Sequence, residues 1–237
     1  MKKHINYFDL LSSCAEKGCP ICRLGQKAVK SYLDILLFEC VTDPEIGMGL
    51  RASLGYCHRH AWLLPHIGQG NLSGIAMIYR DLLGVTQKML TTEETAQRRF
   101  AWLRGILRRW RRRPAHGFLQ PQKPCPACLE YAETERQAIA VLLTTLRRSD
   151  EQLLHALQAS DGLCLPHLRD TLATASDAAT YHTVLTLTQA HLARLIGDVD
   201  EFLRKHDYRF SHEEIGAEGD SWERALRFSV GLKDGEG

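Results

Sequence analysis

Cys19-Pro20-Ile21-Cys22 and, after a gap of 34 residues, Cys57-His58-Arg59-His60 recur as Cys125-Pro126-Ala127-Cys128 and, after a gap of 35 residues, Cys164-Leu165-Pro166-His167. Each copy is C-x2-C followed by C-x2-H. Three thiolates and one imidazole are what a closed tetrahedral Zn²⁺ site takes. Six of the eight cysteines fall in these motifs. A C-x2-C turn at a helix start brings two sulfurs together. A C-x2-H pair, one helical turn long, adds a third sulfur and a nitrogen. The sequence therefore predicts two zinc sites, one per copy. Cys19, Cys22, Cys57 and His60 would form the first; Cys125, Cys128, Cys164 and His167 would form the second. Each site would tie the start of the first helix of its copy to the start of the third, so that metal joins helix N-termini.

The likeness between the copies extends past these residues. A shift of 106 lays Leu33, Leu36 and Leu37 on Ile139, Leu142 and Leu143. A shift of 107 lays Leu50, Ala52, Ser53 and Gly55 on Leu157, Ala159, Ser160 and Gly162. The reading is a tandem duplication. It also sorts the neighbours of the motifs: His60 matches His167, whereas His58 matches Leu165. Cys40 matches Leu146, which makes it a small apolar core residue, and Cys14 matches Gln120, which makes it a bystander.

The fold class expected is all-α, as a tandem duplication of a four-helix unit. Ile21, Leu24, Ala28, Tyr32, Leu36 and Cys40 recur at three- and four-residue steps and make one apolar stripe. Proline inside each C-x2-C suits the first turn of a helix, where its missing N–H costs nothing. Asp43-Pro44 reads as a cap and first turn of a short second helix. Gly55 and Gly162 stand where that helix should stop, at a position favouring a left-handed residue. The C-x2-H pair opens a third helix. A long fourth helix is expected over 72–98 and again over 178–206. The expected domains are a first helical repeat with its metal site at 1–97, an arginine-rich linker at 98–124, a second repeat with its site at 125–206, and a tail with a short capping helix at 207–237. In that short helix Trp222, Leu226 and Val230 share one face.

Composition bounds the rest. Hydrophobic residues make up 44% and charged residues 24%, with a net charge of +2, so no global field dictates a partner. No apolar run reaches the length of a membrane span. Asp9, Glu16 and Lys17 interrupt any apolar stretch near the start, so no signal peptide is expected. Close cysteine pairs without an export signal point to a reducing cytoplasm and to metal rather than disulfides.

Other chemistries compete for the same cysteines. Cys14-x4-Cys19-x2-Cys22 matches the spacing of plant-type ferredoxins, and a [4Fe–4S] cluster on three cysteines and a histidine would fit both copies. C-P-x-C at a helix start also resembles redox dithiols, but those need a βαβ context that this chain lacks. A third alternative is cysteines and histidines packed without metal. No catalytic constellation stands out, since H-E-x-x-H, G-x-S-x-G and the Walker A pattern are all missing. Residues 98–113 hold eight arginines with Phe100, Trp102 and Trp110 among them. That composition suits nucleic-acid phosphates or a membrane surface, or a solvated helix end.

With the two C-P-x-C and G-x-C-x-x-H motifs, the Phe8-Asp9-Leu10-Leu11 start, the arginine-rich middle, and Phe202 to Phe210 followed by Asp220-Ser221-Trp222, the chain resembles a bacterial family whose function is unknown. The resemblance covers nearly the whole chain. It implies the duplicated metal site and brings no activity, substrate or partner. The function expected is a non-enzymatic zinc-binding helical protein with two structural Cys3His sites, an interaction or regulatory module for an unidentified protein partner, with iron–sulfur electron transfer or redox sensing and nucleic-acid binding through Arg98–Arg113 as the alternatives.

Overall fold

The computed structural model describes residues 7–67, 71–104, 117–210, 212–233 and 235, with the side chains of 97–104 outside that description. Among these residues every regular element is helical. In chain order they are α1 (Tyr7–Cys14), α2 (Pro20–Glu39), α3 (Pro44–Ala52), α4 (His58–Ala61), α5 (Leu72–Arg104), α6 (Pro126–Arg147), α7 (Glu151–Ala159), α8 (Leu165–Thr174), α9 (Ala178–Lys205) and α10 (Ser221–Val230). The succession from α2 to α5 is long, short, short, long, and α6 to α9 repeats it. No helix among the described residues is long and apolar enough to cross a membrane.

Local chemistry explains the boundaries. Asp43 caps α3 by accepting from the Glu45 and Ile46 amides at 2.8 and 3.3 Å. Asp150 and Asp177 cap α7 and α9 through the amides of Leu153 and Thr180, each at 2.8 Å. Each satisfies an N–H that the first helical turn leaves unpaired. Gly55, at φ +95°, ends α3 by donating its amide to the Leu50 carbonyl at 2.8 Å.

The chain divides into two compact units, and these do not follow its order. One comprises 1–28 and 131–237; the other comprises 29–130. The expected segments 1–97 and 125–206 therefore do not coincide with them, because α2 and α6 each supply residues to both units. In the discontinuous unit the core gathers Leu10, Ile21, Leu24, Leu142, Leu153 and Leu168 with the sulfurs of Cys14, Cys19, Cys22 and Cys164. Close packing there uses Gly25, where an added Cβ would lie 2.6 Å from the Tyr131 ring. Helix α1, which the sequence reading did not resolve, docks on α7. Its Tyr7 hydroxyl donates to Asp150 at 2.8 Å. Cys14 is thus part of the core and not a bystander, with burial pushing its thiol up to about 11.

In the continuous unit, α3 and the 3-10 turn Leu64–His66 both pack on α5. Leu33, Leu36, Leu37, Leu64, Ile78 and Leu82 are buried there. Cys40 follows the end of α2 and is only half-buried, which differs from the core role expected of it. Helix α10 packs on α9 and α8. Its Trp222, Leu226 and Val230 do share a face, but that face is the exposed one, while Ser221 is fully buried.

Candidate metal centres

The eight residues singled out from the motifs come together in two groups of four, but with their partners exchanged. Cys19 and Cys22 meet Cys164 and His167; Cys125 and Cys128 meet Cys57 and His60. The expectation that each copy closes its own site is therefore wrong. The C-x2-C of one copy is completed by the C-x2-H of the other. Helix lengths give the reason. At about 1.5 Å per residue the 20 residues of α2 carry the chain about 30 Å from Cys22, and the nine residues of α3 return only about 14 Å. The short α3 cannot retrace the long α2. The same mismatch holds between α6, with 22 residues, and α7, with nine.

The backbone presents the ligands in one recurring way. Cys57 and Cys164 are the N-caps of α4 and α8, with extended φ and ψ of −64° and 166°, and −69° and 159°. Cys19 and Cys125 stand immediately before the prolines that open α2 and α6. All four of these carbonyls accept the first helical hydrogen bond, from Arg23, Leu129, Ala61 and Leu168 at 2.8–3.1 Å. Each group therefore lies at two helix N-termini, where unpaired N–H groups favour thiolate.

The spacing fits a single ion. Bonds of about 2.3 Å to sulfur and about 2.0 Å to nitrogen imply tetrahedral edges of about 3.8 Å between sulfurs and about 3.5 Å from sulfur to nitrogen. In the Cys164 group, Cys22 and Cys164 are 3.6 Å apart, and His167 Nδ1 lies 3.4, 3.4 and 3.1 Å from the sulfurs of Cys19, Cys22 and Cys164. In the Cys57 group, Cys57 and Cys128 are 3.6 Å apart, and His60 Nδ1 lies 3.4, 3.6 and 3.4 Å from Cys57, Cys125 and Cys128. All four donor atoms of each group lie within 4.8 Å of one another. His58, by contrast, is exposed and belongs to neither group.

The electrostatics of both groups suit a cation. Hydrogen bonds from Cys164 and Cys19 hold the Cys22 thiol far below the ordinary range, while burial pushes Cys19 well above it. Burial opposes a charge on His167, but Cys19, Cys22 and Glu135 outweigh it and raise the ring to about 12. Burial, and then the neighbouring Cys57, push Cys128 up to about 12. Three sulfurs this close cannot all be anionic without a positive ion among them. Without one, protons take its place.

One residue of the site was invisible to motif reading. Glu135, on α6, meets His167 Nε2 at 2.5 Å. With Nε2–H donating to the carboxylate, Nδ1 turns its lone pair toward the three sulfurs. This is how outer carboxylates orient and strengthen ligating histidines. The residue matched to Glu135 by the shift of 106 is Val29, so comparing the copies offered no signal. Glu135→Ala should weaken metal binding at this centre about 10–100-fold. Competition titration with a chelating indicator reads it, and equal losses at both centres would contradict the assignment.

The centres differ in enclosure. Cys19, Cys22, Cys164 and His167 are each at most 4% exposed. His60 is 2% exposed and Cys125 9%, whereas Cys57 and Cys128 are only half-buried. The tail closes over the first group. Gly231, at φ +90°, sits so close that an added Cβ would lie 3.0 Å from Cys22 Sγ and 3.7 Å from Cys164 Sγ. Gln26 holds this tail by donating to the Lys233 carbonyl at 2.9 Å.

The arginine-rich run contributes no described side chain. Arg98 to Arg104 continue α5 as backbone only, and residues 105–116 lie outside the described residues.

A protein from Caldicellulosiruptor sp. (strain Rt8B.4), described as an uncharacterized 23.9 kDa protein in xynA 3'region, is 23% identical over 228 residues, covering 94% of this chain and all of that one. No solved structure matches. The model of a family of unknown function, DUF6062, matches residues 1–236, and the chain belongs to that family.

Proposed function

We propose that this chain is a non-enzymatic, cytoplasmic zinc protein with two structural Cys3His centres, serving as an interaction or regulatory module. The observation that carries the reading is the tetrahedral spacing of two complete ligand sets, each drawn from helix starts far apart in sequence. A catalytic zinc keeps one position open for water, whereas protein atoms fill all four here. Cys19, Cys22, Cys164 and His167 would hold one ion, and Cys57, His60, Cys125 and Cys128 the other. When bound, zinc supplies a cross-link and charge balance. The chain's own part is to hold three thiolates and a neutral imidazole in place, with Glu135 fixing the tautomer at His167.

Iron–sulfur clusters spread their protein ligands over several irons. Donor atoms within 4.8 Å of one another favour one ion instead. The copies, with helices matched in order and α2 and α3 matching α6 and α7 in length, support descent by tandem duplication. Elemental analysis of protein purified without air or chelator should find two zinc ions per chain and no visible absorption. Iron with inorganic sulfide and a brown colour would overturn the zinc reading.

A further inference from the structure

We propose that the Cys57 centre is a hydroperoxide-reactive site that loses its metal by forming a Cys57–Cys128 disulfide, while the Cys164 centre is sealed against the same reagent. The inference rests on the zinc reading above and goes beyond it. Zinc-bound thiolates remain nucleophiles, and access decides which of them an oxidant reaches. Both centres have the same ligand types, so chemistry alone does not separate them.

Enclosure does separate them. Every ligand residue of the Cys164 centre is at most 4% exposed. Gly231 lies against Cys22 and Cys164, and Leu232 lies over Gly18 so tightly that a Cβ there would be 2.3 Å from it. Gly18 in turn donates its amide to Asp161 at 2.5 Å, which anchors the turn leading into Cys19. At the Cys57 centre, Cys57 and Cys128 are both half-buried and their sulfurs are 3.6 Å apart. The two least buried cysteines of that centre thus also have neighbouring sulfurs. Forming an S–S bond of about 2.05 Å asks them to close by about 1.5 Å.

The step balances as follows. One of these thiolates attacks a peroxide oxygen; the O–O bond breaks, and hydroxide leaves and is protonated to water. The sulfenic acid so formed is attacked by the second thiolate; the S–O bond breaks, the S–S bond forms, and a second water is released. Two thiolates, one hydrogen peroxide and two protons give a disulfide and two waters. The ion, left with Cys125 and His60 only, departs as Zn²⁺.

The test uses the full chain with both zinc ions bound. Hydrogen peroxide is added in steps, with zinc release followed by a chromogenic chelator and cysteines mapped by alkylation and mass spectrometry without reduction. The expected result is loss of one of the two zinc ions together with a Cys57–Cys128 disulfide, while Cys19, Cys22 and Cys164 stay reduced and protected from alkylation. Simultaneous loss of both ions, earlier oxidation of Cys19, Cys22 or Cys164, or zinc release without that disulfide would overturn the proposal. Protein that holds no zinc before peroxide is added would overturn the zinc reading itself, and this proposal with it.

Discussion

Stripping both metals with a strong chelator should lower the melting temperature steeply and expose apolar surface, while much helix remains. Each centre joins elements remote in sequence, Cys22 to Cys164 and Cys57 to Cys125. A metal held there would act as a long-range cross-link as well as a set of bonds. Structural zinc contributes on the order of 10 kcal/mol per site in small peptides. A whole domain has only about 5–15 kcal/mol of net stability. Losing one such site is thus comparable to losing all of a domain's margin. The helices themselves have caps at Asp43, Asp150 and Asp177 and apolar stripes of their own, so secondary structure persists where packing fails. Circular dichroism in the far and near ultraviolet, with a dye for apolar surface, reads both halves of the expectation. An apo form that melts like the metal-bound form would show that these centres are peripheral to the fold.

His167→Ala should cost one metal ion and loosen the unit formed by 1–28 and 131–237, leaving the 29–130 unit with its own. His167 is 4% exposed and its ring meets the sulfurs of Cys19, Cys22 and Cys164 as well as Glu135. Removing it leaves three thiolates without their fourth partner and a carboxylate facing a void. Breaking a buried charged network by deleting one member costs about 3–5 kcal/mol, before the lost metal is counted. His60→Ala should do the converse. His58→Ala should do neither, since His58 is exposed and outside both groups. Zinc content and amide hydrogen exchange, resolved by segment, measure the effect. Equal loosening of both units in His167→Ala would mean that their metals are not independent.

Much of this site could be read from the chain because its chemistry is local. Cys-Pro before a helix, Cys at an N-cap and His three residues later are all fixed by a few neighbouring dihedrals, so motif spacing suffices. The bounds of α9 were likewise legible to within a residue. The pairing of motifs was not, because it depends on where 20 residues of α2 deliver the chain. The clue was present in the unequal lengths of α2 and α3, but a helix length becomes a distance only when its rise is counted. Glu135 was unreadable for another reason. Its role comes from its meeting with His167 on α8, and α6 also carries Glu130 and Glu133 close by in sequence. The exposed stripe of Trp222, Leu226 and Val230 shows the limit of periodicity. Three apolar residues on one face predict that they travel together, yet burial depends on what packs there. Here the opposite face, with Ser221 at its start, was taken by α8 and α9.

The exchanged pairing of ligands is the central claim, and thiol protection tests it most directly. Zinc-loaded His167→Ala and His60→Ala are each pulsed with an alkylating reagent under native conditions, and modified cysteines are identified by mass spectrometry. The account predicts that His167→Ala makes Cys19, Cys22 and Cys164 reactive together while Cys57, Cys125 and Cys128 keep their wild-type protection. In His60→Ala the two sets change places. Exposure of Cys125 and Cys128 with Cys164 in His167→Ala, while Cys19 and Cys22 stay protected, would contradict it and return each metal to a single copy of the motif.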